Sequence, residues 1–156
     1  MTRTWTLPMT GGCRCDRVRF EVSLDPILTS ACHCTGCQKM SSSAYSLTVM
    51  VPTDGFAVVQ GDVVQGGLHG EDARHMFCDH CKTWMFTRID AFGLVNVRAT
   101  LLDDPSWFEP FIETYTCEKL AWATTPAQIS FEKFPPPESY GALMDAFRTA
   151  HQGGHE

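Results

Sequence analysis

The sequence has no run of lysine or arginine, no long apolar stretch, and no apolar export segment near its start. Basic residues number 12 against 18 acidic ones, for a net charge of −6. A protein that grips a phosphate backbone normally shows a basic patch or stripe, so nucleic acid is not expected as a partner. Nothing approaches the roughly 18 consecutive apolar residues that a membrane-spanning helix needs, and no membrane partner is expected. The opening Met1-Thr2-Arg3-Thr4-Trp5-Thr6-Leu7-Pro8 lacks the apolar core of a signal peptide, so the expected location is cytoplasmic. Internal repeats are also missing.

These absences bear on the most unusual feature that is present, eight cysteines in 156 residues. A cytoplasm keeps thiols reduced, which makes the cysteines metal ligands rather than four disulfides. The rest of the composition, 44% hydrophobic and 19% charged, is that of a globular chain. Its length suits one domain over residues 1–156, with a core of its own. A homo-oligomer is compatible with the sequence.

Most segments between the cysteines have strand character. Val18 to Val22 alternates, Tyr45 to Val51 is rich in β-branched and aromatic residues, and Phe56 to Gln60 ends at a Gly61-Asp62 turn. Val63 to Gln65, Trp84 to Thr87, Leu94 to Leu101 and Phe111 to Tyr115 continue the pattern, and the fold class is mainly β. One segment differs. Tyr140, Leu143, Met144 and Phe147 fall at i, i+3, i+4 and i+7, which predicts a C-terminal amphipathic helix over about 139–150, entered from the short connector Pro135-Pro136-Pro137.

The cysteine spacing carries the chemistry. Tetrahedral zinc at about 2.3 Å from each sulfur needs ligand sulfurs within about 4 Å of one another, as cysteines one or two residues apart in a tight turn can provide. Cys78-x-x-Cys81 is a two-ligand knuckle, and Cys13-x-Cys15, after the flexible Gly11-Gly12, supplies a second pair. Together they make a closed structural site of four thiolates, whose binding energy becomes folding energy. Cys32, Cys34 and Cys37 supply three more legs from one loop. Their fourth position is open to two readings. A protein ligand closes it, with Cys117, His33, His75 and His80 as the nearby candidates, or an incoming thiol fills it and is held as a nucleophilic thiolate. A Cys-x-x-Cys can also serve thioredoxin-like redox chemistry, but no βαβ pattern surrounds Cys78 and Cys81.

The ordered set Gly11-Gly12-Cys13-Arg14-Cys15, Val18-Arg19-Phe20, Cys32-His33-Cys34-Thr35-Gly36-Cys37-Gln38-Lys39 and Phe77-Cys78-Asp79-His80-Cys81 resembles the GFA family. That family is named for glutathione-dependent formaldehyde-activating enzyme, or S-(hydroxymethyl)glutathione synthase, and includes the centromere protein V group. The likeness covers about residues 9–134. It implies an Mss4-like fold of several small coiled β-sheets with two zinc ions, held by Cys13, Cys15, Cys78 and Cys81 at a structural site and by Cys32, Cys34 and Cys37 at a functional one. It also implies a carbon–sulfur lyase that joins glutathione and formaldehyde. The sequence departs from the family pattern at Asp16 and Lys82, where a glycine usually follows each cysteine pair, and in the stretch Phe111 to Trp122.

The leading expectation is a zinc-dependent carbon–sulfur lyase or synthase whose partner is a small thiol, glutathione first. Arg14, Arg17, Lys39 and Lys82 are candidate cations for its carboxylates, and Ser41, Ser42 and Ser43 candidate donors to a metal-bound thiolate. The alternative is a zinc-stabilised binding or scaffold module, or a thiol or metal sensor, without catalysis.

Overall fold

The computed structural model describes residues 4–68 and 70–152. Among them are eleven strands, β1 (Met9–Gly12), β2 (Arg19–Val22), β3 (Leu28–Cys32), β4 (Ser46–Pro52), β5 (Phe56–Gln60), β6 (Val63–Gly66), β7 (Arg74–Cys78), β8 (Trp84–Ile89), β9 (Leu94–Arg98), β10 (Ile112–Thr114) and β11 (Ile129–Ser130). Helix α1 spans Thr35–Ser41 and helix α2 spans Tyr140–His151. The strands form a three-stranded sheet, β1-β2-β5, and an eight-stranded sheet, β11-β10-β3-β4-β9-β8-β7-β6. The small-sheet, mainly β, Mss4-like expectation fits this arrangement.

The main core lies between the two sheets. Phe20, Val22 and Phe56 of the small sheet pack against Val49, Val51, Phe86, Val95 and Val97 of the large one. Burying each of these side chains contributes about 1.5–3 kcal/mol. Because side chains alternate along a strand, the neighbouring residues on β4 and β9 point the other way. That second face is apolar at one end and polar at the other. At the apolar end Leu28, Phe111 and Ile112 receive Leu143 and Phe147 of α2. At the polar end Ser46, Thr48 and Arg98 are buried as well. A sheet buried on both faces, with one buried stretch polar, is where a ligand site is to be sought.

Gly11 and Gly12, expected to be flexible, are strand residues in β1. A Cβ on Gly11 would meet the Leu101 carbonyl oxygen at 2.4 Å, so glycine here permits close approach to the chain beside it. The Gly61-Asp62 turn exists, but it does not pair the strands on either side. β5 belongs to the small sheet and β6 to the large one, and Gly61, at φ 79°, turns the chain from one to the other with its Cα against the Arg17 carbonyl. Helix α2 begins and ends close to expectation. The structure adds helix α1 and strands β1, β3, β7 and β11 to the segments with strand or helix character in the sequence, and forms Ala99–Leu101, the end of the Leu94 to Leu101 strand segment, into a 3-10 turn.

Candidate metal centre and adjoining pocket

Two turns, each closed by a bond from a cysteine N–H to the carbonyl five residues on, bring four thiols together. In the first, the Cys13 N–H donates to the Val18 carbonyl at 3.1 Å and the Asp16 N–H to the Cys13 carbonyl at 3.0 Å. In the second, the Cys78 N–H donates to the Thr83 carbonyl at 3.0 Å and the Lys82 N–H to the Cys78 carbonyl at 3.0 Å. Each turn needs one residue in the left-handed region, Asp16 at φ 64° and Lys82 at φ 58°. These are the two positions where the family resemblance leads one to expect glycine, and the backbone gives the reason. The Arg14 N–H donates to Thr83 Oγ1 at 3.3 Å and links the turns.

The Sγ atoms of Cys13, Cys15, Cys78 and Cys81 lie within 4.8 Å of one another. Cys13 and Cys15 are separated by 3.5 Å, and Cys15 and Cys78 by 3.8 Å. A tetrahedron of sulfurs about 2.3 Å from its centre has edges near 3.8 Å, so the group fits zinc-sized coordination. Backbone N–H groups of Val18 and Cys81 donate to Cys13 and Cys78 sulfur, each at 3.4 Å. Burial pushes the Cys81 thiol up, but the Thr83 hydroxyl and neighbouring N–H groups bring it down to about 5.

Cys32 ends β3, and Cys34 caps α1, its sulfur accepting from the Cys37 N–H at 3.2 Å. With Cys37 these form a second group whose sulfurs also lie within 4.8 Å of one another. The Cys37 thiol, hydrogen-bonded to Cys32, lowers Cys32 to about 5, helped by Thr114 and the Cys34 backbone against the effect of burial. The same bond, with burial, pushes Cys37 strongly up, opposed by the Ser46 hydroxyl. A soft divalent ion bound by the three sulfurs would displace their protons.

Among the described residues no fourth donor joins this group, so none of Cys117, His33, His75 and His80 closes it. His33 is fully buried, and its Nε2 donates to Glu113 Oε2 at 2.8 Å. His75 Nδ1 and Thr87 Oγ1 are 2.8 Å apart, while His80 and Cys117 are exposed. Ser41 was expected to serve a thiolate, but its hydroxyl donates to the Cys37 carbonyl at 2.7 Å. Ser46, outside the Ser41–Ser43 set, is the hydroxyl that acts on Cys37 sulfur.

Residues 113–118 brace the three-thiol loop. β10 runs parallel to β3, pairing Thr114 with Cys32. Glu113 accepts from His33, from Thr125 Oγ1 at 2.8 Å and from Ser130 Oγ at 2.8 Å, with Lys119 Nζ at 3.6 Å. Burial opposes its ionisation, yet these partners hold the carboxyl at about 2. Glu118 accepts from the Thr35 N–H at 2.9 Å, and its carbonyl from Gln38 Nε2 at 3.1 Å. Only the long-range pairing of β10 beside β3 reveals this brace, since 80 or more positions separate the partners in sequence.

Beside the group opens a cavity of about 290 Å³, with Ser41, Tyr45, Ser46, Thr83, Trp84 and Arg98 in its wall. The candidate cations lie elsewhere. Arg14 and Arg17 are exposed, Lys82 pairs with Asp79 at 3.0 Å, and Lys39 borders a separate, shallower depression. Arg98, absent from that set, is the cation of this cavity.

The fold and the paired cysteine groups define a small β protein with two sites able to hold metal ions. The chain belongs to the GFA family, glutathione-dependent formaldehyde-activating enzyme, whose profile matches residues 8–118. A relative from Podospora anserina is 26% identical over 124 residues, covering 75% of this chain and 58% of its own length. Another, from Talaromyces marneffei, is 31% identical over 105 residues, covering 63% of this chain and 56% of its own. Both carry, provisionally, the name of glutathione-dependent formaldehyde-activating enzyme. The chain spans a little over half the length of these curated relatives. A Rhodobacter sphaeroides protein solved by structural genomics shares the fold, with a TM-score of 0.52 at 18% identity, covering 79% of this chain and 99% of that one.

Proposed function

We propose that the protein is a zinc-dependent carbon–sulfur lyase that makes and breaks a thiol–aldehyde adduct, with glutathione and formaldehyde as the leading pair. Cys13, Cys15, Cys78 and Cys81 hold a structural zinc, and Cys32, Cys34 and Cys37 a functional one. The observation that carries this reading is the three-thiol group, which has no fourth side-chain donor among the described residues and a cavity beside it. Family membership supports the choice of substrates. A reducing cytoplasm suits a protein that depends on free thiols.

Cys32, Cys34 and Cys37 would hold the zinc, which when bound would supply the positive charge that favours an incoming thiol's deprotonation at neutral pH. The protein's residues do the rest. Ser46 orients Cys37, and the His33–Glu113 pair fixes the loop between Cys32 and Cys34. The cavity wall holds the thiol compound next to the cysteines and limits the water around it. In the forward direction the substrate sulfur bonds to the aldehyde carbon, the carbonyl π pair moves to oxygen, and the thiol's proton ends on that oxygen. The product is a hemithioacetal, S-hydroxymethylglutathione, and the reverse step restores both reactants without an oxidant.

The test is NMR titration of the zinc-loaded chain with glutathione, followed by exchange spectroscopy with carbon-13 formaldehyde. Faster adduct exchange than in buffer, lost in Cys34→Ser, is the expected result. No binding at millimolar glutathione overturns the assignment.

A further inference from the structure

Arg98 is buried deep in the fold, 9% exposed, yet no carboxylate pairs with it among the described residues. Its guanidinium lies 4.2 Å above the Trp84 ring, and its one hydrogen bond runs from Nη2 to the Asn96 carbonyl at 3.4 Å. Nε has no partner, and neither does the Trp84 indole Nε1. Two buried donors are therefore left unmatched in adjacent, stacked side chains that line one cavity. An unmatched buried donor costs about 1–3 kcal/mol, more when charged, so each such group calls for an explanation; Arg98 and Trp84 differ from the other unmatched atoms, those of His33, Thr53, Asn96 and Trp107, in being two donors stacked together in a cavity wall.

The sheet register relates Arg98 to the thiols. Cys32 stands opposite Ser46, and Thr48, two residues along β4, stands opposite Arg98. Alternation puts Cys32, Ser46, Thr48 and Arg98 on one face. Trp84 reaches the same side because the register shifts between Met76 and Phe77, where β7 pairs with β8. Such an irregularity can re-aim a side chain. The thiol group and the cation thus share one polar face, and hydroxyls of Ser43, Thr83 and Thr100 border the space beside them.

We propose that Arg98, backed by Trp84, binds a carboxylate of the thiol ligand and so selects thiols that carry an acid group. This rests on the thiol reading of the neighbouring cysteine group. A planar guanidinium with a free Nε edge matches a carboxylate in two parallel hydrogen bonds, and stacking on an indole keeps that edge in place. A partner negative charge also offsets the cost of burying the cation.

The experiment measures calorimetric affinities of the zinc-loaded chain for glutathione and for glutathione diethyl ester, whose thiol is intact and whose carboxylates are masked. Wild type is expected to favour glutathione by about 10- to 100-fold, the worth of a charged hydrogen-bonded contact. Arg98→Met should bind both compounds alike, and Arg98→Lys should keep an intermediate preference. Equal affinity of wild type for both compounds overturns the carboxylate site and leaves the thiol reading standing. If wild type binds neither, the thiol reading fails, and the anion site is then decided by S-methylglutathione, which has carboxylates but no free thiol. A shift of the Trp84 indole N–H resonance on its addition supports the site, and no shift overturns it. If Arg98→Met does not fold, the ester comparison on wild type and Arg98→Lys decides.

Discussion

The four-thiol and three-thiol groups use the same side chain in opposite ways. Cys13 and Cys15 meet Cys78 and Cys81 from far along the chain, on two turns closed by equivalent outer hydrogen bonds, and the set is complete in itself. Cys32, Cys34 and Cys37 come from one short segment, lack a fourth donor among the described residues, and depend on outside braces at Glu113 and Glu118. A group that joins distant segments stabilises the fold, whereas a local, incomplete group leaves it largely unaffected and can serve a ligand.

Substitution at one sulfur in each group should separate the roles most sharply. Cys78→Ser should leave the chain largely unfolded at room temperature, because structural zinc contributes on the order of 10 kcal/mol to folding in such sites. Cys34→Ser should keep its far-ultraviolet circular dichroism and lose one zinc per chain by native mass spectrometry. Equal loss of structure in both would remove the distinction. Exposure to a chelating dye should then strip the three-thiol group first, at least about tenfold faster, since it has one fewer chelating leg. Release in a single phase would count against it.

Glu113 offers a subtler test. Its ordinary value of 4.5 falls to about 2 in the fold, so its ionised form stabilises the native state above pH 4.5, and that contribution fades as the pH drops from 4.5 towards 2. The shift corresponds to about 3 kcal/mol. Glu113→Gln should lose about 1–3 kcal/mol of stability near neutrality and show a shallower acid dependence than wild type in chemical denaturation. It should also loosen the zinc of the three-thiol group without affecting the other. The smallest effect is expected from Lys82→Gly, which relieves a left-handed residue at φ 58° and should raise the melting midpoint by the equivalent of about 1 kcal/mol or less.

What could be read from the sequence, and what could not, follows from range. The cysteine grouping was legible because ligand spacing is local within each turn, and α2 because its apolar period is plain. Strand β3 was missed since Thr29 and Ser30 interrupt its apolar character, although Thr29 is buried and donates to the Glu109 carbonyl at 2.7 Å. Helix α1 was hidden inside the cysteine motif, where Thr35-Gly36 looks like loop. Arg98 is not legible in the sequence for a different reason. The other candidate cations stand near the cysteines in sequence, while this one reaches the site across β4, and only the register of three strands discloses it.

The span between Cys15 and Cys78 has a consequence for assembly. The three-thiol segment lies wholly inside the loop that the four-thiol group closes. All three of its sulfurs have been synthesised once Cys37 is made, whereas the other set waits for Cys81. A nascent chain therefore presents its local metal-binding motif first and gains its long-range clasp later. Once closed, the clasp shortens the path along the chain from β3, inside that loop, to β10, outside it, which lowers the entropic cost of pairing the two strands.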